Sequence, residues 1–352
     1  MRRARLILCV ALILVPLYAA LPARAALVTI VESGSTLFYP LFHIWIGEYA
    51  KANRNVRMTA TGSGSEAGIA QAISGAAQIG ASDAFMSDEQ LRANPQIVNI
   101  PLAIAAETVN YNVPGLNRAG LKLDGTTIAG IYSGTIRFWD APQIAALNPG
   151  VRLPHNVIVP IRRGDGSGST FLFTQYLTFS DSSWEKGPGS GTTVAWPGVP
   201  GAIAANGNPG MVQASRKTPY SIAYIGTSFH EAIAKAGLGT ARIGNQASKF
   251  LLPTAATVSA AASVLSPRTP RDERLSLVDA PGNDSYPLVG YEYAIVSTKQ
   301  PSPATAAAIR TFLLWAVDSC TGNSPKDLGA VRFIALPEYI RALSVEQIEK
   351  IH

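Results

Sequence analysis

Three times along this chain a short apolar segment runs into a loop of Gly, Ser and Thr, and the loop opens directly into a helix-like segment. The loops are SGST at Ser33–Thr36, TGSGS at Thr61–Ser65 and GDGSGST at Gly164–Thr170. Strand-length stretches at Val28–Val31, Val56–Ala60 and Ile79–Ala81 alternate with helix-length ones at Leu41–Tyr49 and Ala67–Ile73. This alternation predicts an α/β fold with helices packed on a largely parallel sheet. The theme returns with strands at Asn156–Ile161 and Ser221–Ile225 around a helix at Thr170–Thr178. Tyr286–Ser297 reads as a further strand and Ala304–Val317 as a helix. Glycines and prolines between Lys186 and Gly201 predict an exposed loop.

The first 25 residues carry arginines at 2, 3 and 5, an apolar run from Leu6 to Leu21 and the ending Ala23-Arg24-Ala25. This is the layout of a cleaved export signal, so the chain is expected outside the cytoplasm. The formal charge of +6 includes four arginines of that segment, and the remaining 327 residues carry only +2. Their Lys and Arg are scattered, which argues against a nucleic-acid partner. Only Cys320 remains beyond the segment, too few for an internal disulfide, and a packed core must supply the stability. A chain of this size is expected to form two lobes.

Each Gly/Ser loop places unpaired helix N–H groups at the positive end of a helix dipole, where an anion is welcome. A single loop reads more readily as ordinary N-capping. Three loops, one preceded by Arg162 and Arg163, point toward a tetrahedral oxyanion, whose oxygens an arginine fork matches. A P-loop needs Lys after its last glycine, and none of the loops has one. Asp83 and Asp165 lie among these donors. A carboxylate beside an anion is tolerable if the anion carries a proton to donate to it, as phosphate does at neutral pH and sulfate does not. Asp165 also suits the task of orienting Arg163. His43, His155, His230 and His352 form no metal-type cluster, and no G-x-S-x-G elbow is present. His43 reads as a packed helix residue.

The ordered motifs STLFYP, TGSGSEAG, GASDAFMSDEQL, RRGDGSGSTFLF and TPYSIAYIG resemble the periplasmic phosphate-binding proteins of ABC-type phosphate importers, the PstS family. VPGLNRAGLKLDGTTIAGIYSGTIRFWD, YPLVGYEYAIV and LGAVRFIALPEYI extend the resemblance over nearly the whole chain. It implies a type II periplasmic binding protein, two α/β lobes joined by two crossover segments with the ligand cleft between them. The export signal would occupy 1–25, the first lobe 26–104 plus 286–352, and the second lobe 105–285. The crossings would fall near Ile104–Asn110 and Asp284–Tyr291.

Carried over by position, the resemblance implies that phosphate meets the Thr36 hydroxyl, the Leu37 amide, Ser65 and Asp83 from the first lobe. From the second it would meet Arg163, Ser167, Gly168 and Ser169, with Asp165 holding Arg163 in place. Arg162 is expected to be a strand-end charge on the other side of the sheet. The implied protein is a monomeric periplasmic carrier without cofactor or metal that delivers inorganic phosphate to an inner-membrane ABC permease. An exported phosphate-ester hydrolase, and a surface phosphate scavenger or sensor on the same fold, are the alternatives.

Overall fold

The computed structural model describes residues 27–352; the expected export signal lies outside the described residues. The chain opens with β1 (Val28–Gly34), α1 (Tyr39–Ala52), β2 (Val56–Thr59), α2 (Ser65–Ser74), β3 (Ile79–Ser82) and α3 (Asp88–Ala93). It continues through β4 (Ile97–Asn112), β5 (Lys122–Leu123), α4 (Gly125–Ser133) and α5 (Pro142–Leu147). Next come β6 (Val159–Arg163), α6 (Gly168–Ser180), α7 (Ser182–Lys186), β7 (Ile203–Ala205), α8 (Gly207–Lys217) and β8 (Ser221–Gly226). After α9 (His230–Lys235), β9 (Gly239–Thr240), β10 (Arg242–Gly244), β11 (Phe250–Leu251) and α10 (Ala255–Leu265), the chain re-enters the main sheet as β12 (Val289–Ser297). It ends in α11 (Pro303–Val317), α12 (Pro325–Ala330) and α13 (Glu338–Glu349).

The main sheet runs β2-β1-β3-β12-β4-β8-β6-β7, with β9 also paired to β4. Its flanks are parallel, as the strand–loop–helix units require. Its middle departs from the expectation of a largely parallel sheet. There β12 lies antiparallel to β3 and β4, and β4 lies antiparallel to β8. The cause is the 16-residue length of β4, which pairs with β12 from Ile97 to Ala106 and with β8 from Glu107 to Asn112. Ile104–Asn110 is therefore continuous strand. The Gly/Ser-loop strand β1 is linked to this shared beam through β3 and β12 on one flank, and β6 is linked to it through β8 on the other.

Each flank has its own aromatic core. On the first, Phe38, Phe42 and Trp45 of the α1 region pack edge to face, and Trp45 also meets Phe312 and Trp315 of α11. Trp45 Nε1 donates to the Gly322 carbonyl at 2.7 Å, so its polar tip is satisfied. On the second, Phe173 stacks on Tyr224 with centroids 4.3 Å apart, and Tyr132 closes on Phe173.

Two expectations need correction. His43 is exposed and stacks on Tyr39, because α1 buries the Leu41, Phe42, Trp45 and Tyr49 face instead. The Lys186–Gly201 segment is not simply exposed: Val199 is buried and Trp196 stacks against Tyr224, so the irregular backbone covers part of the core. Among the described helices none is long and apolar enough to cross a membrane.

Candidate anion site

The first Gly/Ser loop turns β1 into α1 through Ser35. Its hydroxyl accepts the N–H groups of Leu37 and Phe38, each at 3.0 Å, and donates to Asp83. The Leu37 amide, expected to face a ligand, is thus engaged within the turn. The Leu37 carbonyl accepts the Ser228 hydroxyl at 2.7 Å. Thr36 Oγ1 accepts from the backbone N and the Nδ2 of Asn208, at 3.1 and 3.0 Å, and keeps its own proton to donate.

The second loop brings Ser65 to the first position of α2, where its hydroxyl accepts the Asp83 N–H at 3.3 Å. Close glycine packing sets that position. A Cβ on Gly68 would lie 2.7 Å from the Gly34 Cα and 2.8 Å from the Ala81 carbonyl oxygen. Gly68→Ala must push α2, and Ser65 with it, away from β1 and β3. Overpacking of this kind costs about 1–3 kcal/mol. A lowered urea midpoint together with weakened anion binding is the expected result, and an unchanged midpoint would show that α2 has slack.

The third loop starts at the end of β6, where Arg163 is 3% exposed. Its Nε meets Asp165 Oδ1 at 2.7 Å and its Nη2 meets Oδ2, a bidentate fork. Asp165 Oδ1 also accepts the Gly207 N–H at 3.1 Å. Burial opposes charge on this pair, yet Arg163 holds the Asp165 carboxyl below the usual range. The Arg163 N–H donates at 2.9 Å to the buried Tyr224 hydroxyl, which also bonds Thr170 Oγ1 at 2.7 Å. Ser167 caps α6 by accepting the Thr170 N–H at 3.3 Å. Arg162 turns away and lies over Trp196, 5.7 Å from the ring.

The two flanks meet here. A Cβ on Gly168 would fall 2.6 Å from the Asp83 Cβ and 2.7 Å from the Ser65 hydroxyl, so only glycine lets the start of α6 approach this closely. Ser169 Oγ reaches Asp83 Oδ2 at 3.4 Å. At the rim, the Glu66 N–H donates to the Gly166 carbonyl at 3.3 Å, and the Glu66 carboxylate accepts from Thr192 and Thr193 at 3.2 and 2.9 Å. Ser65, Asp83, Ser169, Gly168 and the Arg163–Asp165 pair therefore surround one buried point, whereas Leu37 contributes packing and a carbonyl.

Several participants had no assigned role in the sequence: Ser35, Glu66, Asn208, Tyr224, Glu107 and Glu292. The last two are the least expected. Both are fully buried, Glu107 on β4 facing Ser169, Asp83 and Arg163, and Glu292 on β12 facing Asp83. A lone Glu in an otherwise apolar strand was the available signal.

Burial raises the pKa of Asp83, while contact with Glu292 and Ser35, the charge of Arg163 and the Ser169 hydroxyl pull it back. Burial pushes Glu107 up to about 8, opposed by Ser169 and assisted by the charge of Asp83. Glu292 is driven well above the carboxylate range by burial and then by Asp83. Away from the site, burial also pushes Glu32 and Glu273 up to about 8.

Acids whose folded pKa is raised bind more protons folded than unfolded, so their contribution is fully present below about pH 4 and lost as pH rises through 8. Without ligand, the melting temperature is expected to fall by several degrees between pH 5 and pH 8.5 in scanning calorimetry. A melting temperature that rises over this interval would show that these carboxyls ionise without cost.

Chemically the site offers hydroxyl donors, a helix N-terminus and an oriented guanidinium around one carboxylate, a set suited to an anion that carries a proton. The model of the PBP superfamily domain matches residues 21–319. The "Phosphate-binding protein PstS" of Methanocaldococcus jannaschii is 32% identical over 93% of this chain and 87% of its own. That of Pasteurella multocida is also 32% identical, covering 82% of this chain and 81% of its own. Among solved structures, a phosphate-binding protein from Stenotrophomonas maltophilia superposes with a TM-score of 0.66 at 18% identity, over 90% of this chain and 93% of that one.

Proposed function

Because the chain belongs to the PstS phosphate-binding proteins of the PBP superfamily, we propose that it captures inorganic phosphate outside the cytoplasm and delivers it to an ABC-type import permease. The observation that carries this reading is Asp83, a buried carboxylate at the focus of Ser35, Ser65, Ser169 and Arg163. Monohydrogen phosphate supplies both what the donors want, unprotonated oxygens, and what the carboxylate wants, an O–H. Thr36, Ser65, Arg163, Ser167, Gly168 and Ser169 would contact the phosphate oxygens, with Asp165 orienting Arg163.

In this reading residues 26–104 with 286–352, and residues 105–285, act as two lobes hinged where β4 changes partner and where β12 begins. Closure carries the α6 N-terminus onto Asp83, and the Glu66 contacts with Thr192 and Thr193 latch the rim. Capture and release without bond breaking is favoured over ester hydrolysis because similar chains are named as phosphate-binding proteins, and the serine hydroxyls here bond backbone groups or the Asp83 carboxylate that the ligand's own proton would engage. Export and a monomeric working form complete the reading.

Calorimetric titration of the chain from residue 26 onward with phosphate, arsenate and sulfate tests it. Tight phosphate and arsenate binding with little response to sulfate is expected. No heat from phosphate at neutral pH, with the protein folded, would refute the reading.

A further inference from the structure

Four carboxyl groups crowd the cleft floor, Asp83, Glu107, Glu292 and Asp165, against the single buried guanidinium of Arg163. Were all ionised, the site would hold a net charge of −3 before any anion arrived. Burying a dianion beside that charge would be prohibitive. The carboxyls of Asp83 just beyond β3, Glu107 on β4 and Glu292 on β12 also offer no cation an alternative home. Among the described residues no group of His, Cys, Asp and Glu is placed to hold a metal ion.

The sheet explains why the glutamates point into the cleft. In the register of β12 and β4, Glu292 lies opposite Ala103 and Gly290 opposite Ala105, so these side chains and that of Glu107, two residues on, share one face. This face receives α6: a Cβ on Gly290 would strike the Leu172 side chain at 2.6 Å. Both carboxyl oxygens of Glu107 and both of Glu292 are buried, and none makes a well-formed hydrogen bond within the chain. Buried carboxyl oxygens without a well-formed bond cost stability, and their nearest polar neighbours are Ser169 for Glu107 and Asp83 for Glu292.

Resting on the phosphate reading above, we propose that Glu107 and Glu292 serve this site as neutral carboxylic acids, so that Asp83 remains the cleft's one unpaired carboxylate and oxyanion capture depends on their protons. In this form each can donate an O–H, toward Asp83 from Glu292 and toward Ser169 or the anion from Glu107. A bound dianion stabilises the neutral form further, so at alkaline pH the complex must take up the protons that the free protein has lost.

Groups facing Glu107 come from the neighbouring elements: Asp83 from the turn after β3, Glu292 from β12, Arg163 from β6 and Tyr224 from β8. Tyr286 donates to the Glu107 carbonyl at 2.8 Å. Burial pushes both tyrosines above the usual phenol value, and Arg163 stays charged, so none of these three ionises or discharges below pH 10. Glu107, the lowest of the two raised glutamates, sets the alkaline limb.

The test is phosphate affinity by calorimetry from pH 8 to 9.5, where free phosphate stays the monohydrogen dianion. Wild type is expected to lose about ten-fold or more in affinity over this interval. At pH 9 the apparent heat should vary with the buffer's ionisation enthalpy, reporting net proton uptake. E107Q keeps a neutral donor at every pH and should bind phosphate at pH 9.5 several-fold more tightly than wild type. Tight wild-type binding that is constant from pH 8 to 9.5, without proton uptake, would overturn this inference and leave the phosphate reading intact. Absence of phosphate binding at any pH would instead remove the reading on which it rests. The proton-uptake measurement uses the unaltered protein, so it decides even if E107Q fails to fold.

Discussion

Arg163→Ala is expected to weaken phosphate binding by about 3–5 kcal/mol, between a hundred- and several-thousand-fold, because it removes one member of a buried ion pair. Arg163 is the only cation among the buried described residues, and its fork is already oriented by Asp165 before any ligand arrives. Without it, Asp165 stays in the cleft as an uncompensated negative charge and the anion loses its bidentate partner. Arg163→Lys should fall between the two, since it restores a point charge without the fork. Calorimetric titration alongside a thermal melt separates the binding loss from misfolding. A change below three-fold in a folded variant would place phosphate elsewhere.

Asp83→Asn should have its largest effect on discrimination. A site built to accept a ligand's O–H rejects an analogue lacking it by about 10⁴–10⁵, because a buried acceptor is left facing another acceptor. Sulfate is such an analogue. Rotation of the asparagine amide would present an N–H to the sulfate oxygen, and loss of the charge would remove the carboxylate's repulsion of an anion that brings no proton. The phosphate-to-sulfate affinity ratio is expected to fall by at least two orders of magnitude, through weaker phosphate binding and stronger sulfate binding together. Parallel titrations with both anions measure it. An unchanged ratio would assign the selection to cavity shape.

Much of this was legible in the chain because it is local. A strand ending in Gly and Ser before an apolar helical run announces its own turn, and RRGDGSGSTFLF carries Arg163, Asp165, the Ser167 cap and the start of α6 within twelve residues. The Arg163–Asp165 fork joins residues two apart, although Gly207 and Tyr224 also anchor it. Ser35 and Asn208 were harder. Ser35 looks like any turn serine until Asp83, 48 residues on, appears beside it, and Asn208 reaches Thr36 from 172 residues away. Glu107 and Glu292 stood in plain view inside PLAIAAETV and YPLVGYEYAIV. A strand's two faces cannot be assigned from an apolar run, so their burial and direction were hidden.

The sequence by itself determined the repeated strand–loop–helix units, the residue types of the anion cradle and the family, since these follow from local backbone preference and the order of motifs. Tertiary structure alone decided that β4 is one beam paired to both flanks, that the Leu37 amide is spent within its turn, and that Glu66 reaches the Thr192–Thr193 segment. It alone put Glu107 and Glu292 beside Asp83. The reason is physical: charge state and hydrogen-bond capacity depend on burial and on neighbours far along the chain, and both exist only once the strands have paired.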